Sequence, residues 1–564
     1  MKVLLLTAFI FLFCKAPFAQ IVPAKKTDRG IYVSFVSPDL RFKKDTVPVI
    51  PVKTSWNTRA WKGEKVHTKL LLWATDPIQK VSLHCESLNS YNGNQIPARH
   101  ISASFLEYVI TDGLNAKGSG CGVTKGVDSS LVEDLISKRK IISIKANNSQ
   151  PVWLSIDVPR NAKPGNYKGI VKIKNNSVDI GELEFTIEVI NRILPESKDW
   201  KFHLDLWQNP FAVARVHNVK LWSPQHLTVM RPYMQMLADA GQKSITASII
   251  HDPWNSQTYD IYHSMVKWIK KKNGQWKYDY SIFDLWVNYM KTIGINKLIN
   301  CYSMIPWHMK FYYYDETIAK DTFLVAQPGS AAFAAHWKPM LKDFAKHLKQ
   351  NGWFSQTAIA MDERPMEAMQ KAIAVIKDAD KDFKISLAGK YHPEIQRDIF
   401  DYAVASNQVI DTSALDKRNR SGFTTTFYTS CSEGYPNTFT FSPTAESAWM
   451  GWHAANKGYD GYLRWAYNCW SENPLQDSRF RRFAAGDTYF IYPAYQSSVR
   501  FERLIEGIQD YEKIRILKEE FNIKNQYQKR ARLEEALKQF ETSRLKEERA
   551  EDMLNDAKSI LNSF

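Results

Sequence analysis

Short runs of alternating apolar and polar residues fill the first third of the chain, and turn residues separate them. These runs are rich in β-branched and aromatic residues, and they lie at 31–36, 66–73, 152–158, 167–173 and 183–190. A period of two places successive side chains on opposite faces of a strand, so that one face can be buried. The pattern predicts an antiparallel β-sandwich over residues 20–195.

After about residue 195 the pattern changes to short apolar runs that alternate with longer segments of helical period. The eight apolar runs lie at 202–207, 244–250, 297–303, 357–361, 384–387, 409–412, 424–429 and 461–469. The helical segments between most of them are 224–240, 281–293, 331–350, 365–379 and 443–456. Eight strands, each followed by a segment long enough for a helix, predict a (β/α)8 barrel of the TIM type over residues 196–498.

The two ends of the chain have patterns of their own. Residues 499–564 are charged and carry an apolar stripe at helical spacing, which predicts a C-terminal helical segment packed on the barrel; a solvated helical hairpin is the alternative for its final part. Residues 1–19 begin with Met1 and Lys2, continue with the apolar run 3–13 and end at Ala19. That run is too short to span a bilayer, so it predicts a signal peptide and an exported protein, periplasmic or extracellular, with no integral membrane segment.

Charge and cysteine content narrow the picture. The formal net charge is +16, but the lysines are scattered, which favours a solvated surface over a nucleic-acid binding patch. The cysteines lack C-x-x-C spacing, and the chain has neither H-E-x-x-H nor G-x-S-x-G, so no metal or organic cofactor is predicted. An oxidising compartment allows one disulfide, with Cys85 and Cys121 as the candidate pair, and buried free thiols are expected at Cys301, Cys431 and Cys469.

One pair of adjacent acids follows a predicted barrel strand. Asp362 and Glu363 come directly after the apolar run 357–361, and Pro365 suits the first turn of the helix that follows. The pair is therefore predicted at the carboxyl end of a buried parallel strand, which is the face on which barrel enzymes build active sites. The structural alternative is that Asp362 caps the helix and Glu363 adds favourable charge at its amino end.

Adjacent acids suit the hydrolysis of a glycosidic bond when the sugar carries a 2-acetamido group. Most glycosidases hold a nucleophile and an acid on opposite sides of the bond, whereas an acetamido carbonyl oxygen can itself attack the anomeric carbon. Neighbouring like charges also disfavour double ionisation, which helps to keep one acid protonated near neutral pH. We therefore assign Glu363 as general acid and base, and Asp362 as the group that holds the acetamido nitrogen.

Aromatic and polar residues recur near the ends of other predicted barrel strands, where rings can stack on the apolar faces of a sugar. The candidates are His203, Asp205, Trp207, His251, Asp252, Trp254, Trp307, His308, Tyr428, Trp465, Tyr467 and Trp470. Each of them alone is more often a core or rim residue, and their recurrence at one end of successive strands is what favours a sugar pocket. Substrate binding is predicted for His251, Trp254, Tyr428, Trp465 and Tyr467.

Three motifs carry a resemblance to a known family: M-D-E-R-P at 361–365, V-P-R-N-A-K-P-G-N-Y-K-G at 158–169 and R-F-E-R-L-I-E-G-I-Q-D-Y-E at 500–512. The chain resembles glycoside hydrolase family 123, the β-N-acetylgalactosaminidases, and the first motif carries that family's catalytic pair onto Asp362 and Glu363. The resemblance implies a retaining, exo-acting enzyme that releases terminal GalNAc from glycans or glycolipids by substrate-assisted catalysis. A hexosaminidase for another 2-acetamido sugar and a non-catalytic carbohydrate-binding protein are the alternatives.

Overall fold

Two sheets form the amino-terminal part of the chain in the computed structural model, which describes residues 31–122, 129–480 and 482–564. Their strands are β1 (Ile31–Val36), β2 (Ser55–Lys62), β3 (Lys65–Ala74), β4 (Ile78–Cys85), β5 (Leu88–Ser90), β6 (Gln95–Ile96), β7 (Ile101–Thr111), β8 (Ser130–Ile136), β9 (Ile141–Ile144), β10 (Asn148–Asp157), β11 (Gly165–Asn175) and β12 (Val178–Ile193). One sheet has the order β1-β3-β10-β7-β8, and the other has the order β2-β12-β11-β4-β9, in which β5 also pairs with β11 and β6 pairs with β5. The sheets share one apolar core, and β2 departs from the antiparallel pattern by pairing parallel to β12. The predicted sandwich is confirmed, and the predicted signal peptide lies outside the described residues.

A parallel barrel follows the sandwich. The remaining strands are β13 (His203–Leu206), β14 (Ser244–Ser248), β15 (Lys267–Lys270), β16 (Trp276–Asp279), β17 (Leu298–Tyr302), β18 (Lys310–Asp315), β19 (Lys320–Val325), β20 (Thr357–Met361), β21 (Lys384–Gly389), β22 (Asp401–Ala405), β23 (Thr424–Tyr428) and β24 (Gly461–Arg464). Eight of them form one sheet in the order β14-β17-β20-β21-β22-β23-β24-β13, and β15, β16, β18 and β19 form a small separate sheet. The TIM-type architecture is confirmed.

Two glutamine side chains help to close the barrel between its first and second strands, β13 and β14. The backbone N–H of Leu206 donates to Oε1 of Gln242 at 2.9 Å, and the N–H of Thr246 donates to Oε1 of Gln208 at 2.9 Å. A direct backbone bond from Lys243 to the Leu204 carbonyl, also at 2.9 Å, completes the seam. Side-chain amides can replace main-chain partners here because each carries both a donor and an acceptor.

Helices cover the barrel and continue to the carboxyl terminus. They are α1 (Pro210–Val216), α2 (Pro224–Asp239), α3 (Ser281–Ile293), α4 (Ala331–Gln350), α5 (Met366–Ala379), α6 (Thr412–Arg420), α7 (Ala445–Lys457), α8 (Val499–Ile523), α9 (Tyr527–Leu537) and α10 (Ala550–Leu561). Helices α9 and α10 bury Leu533, Leu537 and Leu554 against the rest of the molecule, so the predicted C-terminal helical segment packs on the barrel. No helix in the described part of the chain is long and apolar enough to cross a membrane.

Helix α8 connects the barrel to the sandwich. It approaches α7 so closely that a Cβ atom on Gly451 would lie 2.0 Å from the carbonyl oxygen of Gly507, and only glycine fits there. From the same helix, Arg500 forms a buried ion pair with Asp134 of the sandwich at 3.0 Å. Further pairs across this interface join Arg503 to Asp39, Lys513 to Glu64, and Lys65 to Glu502. The 500–512 motif is therefore architectural, as its position after the barrel suggests.

The sixth barrel strand was predicted wrongly. The structure places it at β22, whereas 409–412 leads into α6, where the carboxylate of Asp411 accepts the N–H of Ala414 at 3.0 Å as a helix cap. The true strand begins with a buried acid, Asp401, which accepts a hydrogen bond from the Ser386 hydroxyl at 3.0 Å. The first residue of this strand is charged, so the apolar pattern in the sequence did not identify it as a buried strand.

The disulfide expected between Cys85 and Cys121 was also wrong. Cys121 bonds to Cys431, so the prediction of a free thiol at Cys431 was wrong too, and Cys85 is a half-buried free thiol. Cys301 and Cys469 are buried free thiols, as predicted. The bond joins a loop of the sandwich to the loop after β23, across 310 residues of sequence. Spacing along the chain cannot reveal this pair, because the two loops meet only when the sandwich packs against the barrel.

Candidate active site

A cavity of about 340 Å³ opens at the carboxyl ends of the barrel strands. Its walls are largely aromatic and apolar, and the carboxyl groups of Asp362 and Glu363 face into it. The lining residues are Cys121, Trp207, Trp254, Gln257, Trp307, Asp362, Glu363, Ala388, Tyr428, Thr429, Ser430, Cys431, Ser432, Leu463, Trp465 and Phe483. The sandwich contributes Cys121, so the disulfide forms part of the cavity wall.

Asp362 is buried and held by two neighbours. It follows β20 directly and is 7% exposed, and its Oδ2 accepts the indole N–H of Trp307 at 2.8 Å. A guanidinium nitrogen of Arg364 lies 3.6 Å from Oδ1, which itself makes no hydrogen bond within the described part of the chain. Burial raises the pKa of Asp362 to about 6 against the attraction of Arg364, and the negative charge of Glu363 raises it further. Oδ1 is thus an acceptor available to a ligand.

Glu363 stands in a different environment although it is the next residue. Its side chain is exposed, and its Oε1 accepts a hydrogen bond from the hydroxyl of Tyr428, which is itself buried. Burial raises the pKa of the Tyr428 phenol well above its usual value, and the negative charge of Glu363 raises it further. Tyr428 therefore keeps its proton and remains a hydrogen-bond donor. An exposed carboxyl group fixed by one donor can exchange protons with a bound substrate and with water.

The helix-capping alternative does not describe either acid. Helix α5 begins at Met366, its capping position is Pro365, and no side chain caps its first turn. Asp362 and Glu363 therefore lie before the capping position, between the end of β20 and the helix. Neither side chain caps the helix, and both line the cavity.

The five residues predicted to bind substrate fall into two groups. Trp254, Tyr428 and Trp465 line the cavity. His251 lies outside the lining, with its ring 5.1 Å from His263 and 5.0 Å from Tyr312. Tyr467 is fully buried and donates to the backbone carbonyl of Tyr233 at 2.9 Å. Sugar contact by any of the five stays a prediction.

Sequence reasoning did not find Asp487. This buried acid accepts the indole N–H of Trp465 at 3.0 Å and pairs with the guanidinium of Arg464 at 2.5 Å. Arg464 in turn donates to the backbone and hydroxyl oxygens of Thr429, so Asp487 fixes two parts of the cavity wall. It lies in the irregular segment between β24 and α8, where no periodic pattern marks a buried residue.

Replacing Trp307 with Phe tests the hydrogen bond that holds Asp362. We expect kcat/KM to fall about tenfold, since one hydrogen bond to a buried charge is lost. The acid limb of the pH profile should also move to higher pH, because the Trp307 N–H lowers the pKa of Asp362. Trp276→Phe, outside the cavity lining, is the control and should leave the limb in place. If activity in the Trp307→Phe variant falls at the same acid pH as in the parent, the Trp307 N–H does not set the pKa of Asp362.

A parallel barrel that carries a carboxyl pair in an aromatic cavity at the carboxyl ends of its strands is the arrangement of a glycoside hydrolase. The model of the "Glycoside hydrolase 123, catalytic domain" matches residues 207–517, and that of the "Glycoside hydrolase 123 N-terminal domain" matches residues 35–175. The chain belongs to glycoside hydrolase family 123.

Solved structures agree with this assignment. A family 123 glycoside hydrolase from Clostridium perfringens, described in terms of glycolipid glycan hydrolysis, is 26% identical, covers 95% of this chain and 98% of its own, and superposes with a TM-score of 0.85. A family 5 xyloglucanase from Bacteroides ovatus, with 8% identity over 81% of this chain and 98% of its own, reaches a TM-score of 0.28. The comparison with curated proteins finds no match.

Proposed function

We propose that this enzyme is a retaining exo-β-N-acetylgalactosaminidase that uses the 2-acetamido group of its substrate as the nucleophile. The observation that carries the proposal is the contrast between two adjacent carboxyl groups, one buried with a free acceptor oxygen and one exposed. Among the described residues that line the cavity, Asp362 and Glu363 are the carboxylic acids. The described part of the lining offers no second carboxylate on the opposite side of the bond, which supports a mechanism in which the substrate supplies the attacking oxygen.

Each acid has one role in the first chemical step. Ionised Asp362 accepts the acetamido N–H through Oδ1, which aims the acetamido carbonyl oxygen at the anomeric carbon. That oxygen forms a bond to the carbon while Glu363 gives its proton to the leaving oxygen. The product is a bicyclic oxazolinium ion, whose positive charge the Asp362 carboxylate stabilises.

The second step regenerates the enzyme. Glu363, now a carboxylate, takes a proton from a water molecule, and the water oxygen attacks the anomeric carbon from the face that the leaving group vacated. Two inversions at one carbon give net retention of configuration. Tyr428 holds Glu363 in place through both steps by its hydrogen bond to Oε1.

The identity of the sugar is supported by similarity and by cavity size. The Clostridium perfringens relative, described in terms of glycolipid glycan hydrolysis, supports a glycolipid glycan as the substrate, and the choice of GalNAc as the terminal sugar rests on the resemblance to family 123. A cavity of about 340 Å³ is at the small end of ligand pockets, which suits one terminal sugar residue and thus exo action.

Paired nitrophenyl glycosides test the substrate and the mechanism. The enzyme should release nitrophenol from the β-GalNAc glycoside, and release from the β-GlcNAc glycoside alone would overturn the galacto assignment. A GalNAc-thiazoline, which mimics the bicyclic ion, should inhibit competitively and strongly. Indifference to it would point to a protein nucleophile, and a parent protein that binds GalNAc without turning it over would be the non-catalytic alternative.

The pH dependence should report the buried acid. Because Asp362 acts as a carboxylate and burial raises its pKa to about 6, kcat/KM should fall as the pH drops below about 6. An acid of ordinary pKa would instead keep the enzyme active to about pH 4. The measurement is kcat/KM for nitrophenyl β-GalNAc between pH 4 and 8, and a flat profile from 4.5 to 7 would exclude this role for Asp362.

Export is part of the proposed function. The signal peptide predicted at residues 1–19 supports it, and the Cys121–Cys431 disulfide fits an oxidising compartment such as the periplasm or the extracellular space. The mature protein from the native host should begin at Gln20 and be found outside the cytoplasm. Intact Met1 on the isolated protein would contradict export by this route.

A further inference from the structure

A second cavity lies on the other side of Glu363. Its volume is about 360 Å³, and its lining includes Glu363, Leu387, Gly389 and Met369. At the end of β21, Ala388 faces the first cavity whereas its two neighbours line the second, as expected for side chains that alternate along a strand. Glu363 therefore separates two cavities. This is the position a general acid needs when one cavity holds the sugar and the other holds the group that leaves.

The second cavity has a basic lining. Arg364, Lys390 and His392 contribute to it, and among the described residues that line it the only acid is Glu363. The side chain of Lys390 is exposed and that of His392 half-buried, and both can reach a ligand. The half-buried side chain of Met366 offers an apolar surface for the face of a sugar ring.

Two features of the lining favour an anion there, the exposed side chain of Lys390 and the start of helix α5. Arg364 adds positive charge to the lining, but its guanidinium is already engaged, since Nε donates to the Ile305 carbonyl at 2.9 Å, the group lies over the Trp307 ring, and Nη2 is 3.6 Å from Oδ1 of Asp362. The first turn of α5, at Met366, also opens into this cavity without a capping side chain. The amino end of a helix and a nearby ammonium group both favour a negative charge.

We propose that this second cavity binds the leaving-group sugar and prefers one that carries an anion, as a uronic acid carboxylate or a sulfate ester. The proposal rests on the proposed function, since it needs Glu363 to be the general acid between the two sites. Lys390 is the specificity-determining residue at the open end of the cavity, where it meets the anionic substituent, and His392 lies beside it.

Three matched disaccharides test the preference. Each carries the same terminal β-GalNAc, on a hexuronic acid, on the corresponding neutral hexose, or on that hexose with a sulfate ester. We expect kcat/KM to be about tenfold higher for at least one anionic substrate than for the neutral one, the size expected of one charge-assisted hydrogen bond. The anionic disaccharide with the higher kcat/KM shows whether the cavity prefers a carboxylate or a sulfate. Equal kcat/KM values for all three disaccharides would overturn the proposal.

Variants show whether the preference comes from this cavity. Lys390→Met keeps the apolar stem and removes the charge, so the ratio of anionic to neutral kcat/KM should fall to near one, and Lys390→Arg should restore most of it. Lys346→Met, on the exposed side of α4, removes one charge elsewhere and should leave the ratio unchanged. An equal fall in the Lys346 variant would assign the preference to the overall positive charge and overturn the site.

Failure of this proposal can be told apart from failure of the proposed function. Turnover of nitrophenyl β-GalNAc depends on the first cavity and the acid pair, whereas the ratio between disaccharides depends on the second cavity. If the enzyme cleaves a different 2-acetamido sugar, the same three leaving groups are joined to that sugar and the ratio is measured again. A ratio near one in an active enzyme contradicts the anion site alone.

Discussion

Replacing Glu363 with Gln should lower kcat/KM for a disaccharide substrate by about a thousandfold, because the amide cannot give a proton to the leaving oxygen. The loss should be much smaller for the first step with a dinitrophenyl glycoside, whose leaving group departs without protonation. This dependence on the leaving group identifies a general acid, since a residue that only shapes the cavity would affect both substrates alike. Steady-state and pre-steady-state kinetics with the two substrates measure it.

The matched control for this change is on the next helix. Glu367→Gln makes the same substitution at an exposed position on α5, where Glu367 pairs with Lys371 on the surface. It should retain parental kcat/KM, because exposed ion pairs of this kind contribute little to stability. Retention of more than about a tenth of parental activity by Glu363→Gln on the disaccharide would contradict its assignment as the acid.

Replacing Asp362 with Asn should lower kcat by about a hundredfold to a thousandfold, the range for removing a group that stabilises transition-state charge. The same change should make the protein more stable at neutral pH. Burial raises the folded-state pKa of Asp362 from 3.8 to about 6, so the folded protein binds this proton more tightly than the unfolded chain does. Stability is therefore lost as the pH rises from about 4 to 6, by roughly 3 kcal/mol at most.

The stability measurement separates a catalytic residue from a structural one. Denaturant unfolding at pH 4.5 and 7.5 should give Asp362→Asn a larger advantage over the parent at pH 7.5, because the asparagine has no charge to bury. If the Asp362→Asn variant is inactive and also less stable than the parent at pH 7.5, the carboxylate supports the fold. Asp362 would then not be a residue that lowers stability in order to serve catalysis.

Most of the fold could be predicted because its elements are long and strongly patterned. The structure confirms helix α4 at Ala331–Gln350 and strand β20 at Thr357–Met361 with the predicted bounds. Helix α4 is buried on the face that carries its apolar residues, and strand β20 is buried along its whole length. The strand at Asp401–Ala405 escaped prediction because its first residue is an acid, which the barrel core accepts through a hydrogen bond from Ser386.

The candidate site was predictable only in part. An acid pair directly after a buried strand is a local signal, and so is a tryptophan that follows the next strand along the sheet. Asp487 gave no such signal, because it acts by contacting Trp465 and Arg464 from an irregular segment. The pairing of Cys121 with Cys431 was also hidden, since it depends on how the sandwich docks against the barrel.

The sequence by itself determined that Asp362 and Glu363 follow a barrel strand, and alternation of apolar and polar residues is enough for that because it sets local structure. Only the tertiary structure decided that these neighbours differ, with one buried beneath Trp307 and Arg364 and the other exposed between two cavities. The physical reason is that burial, charge and hydrogen bonding at each carboxyl group come from residues far away in the chain. Packing alone brings those residues together.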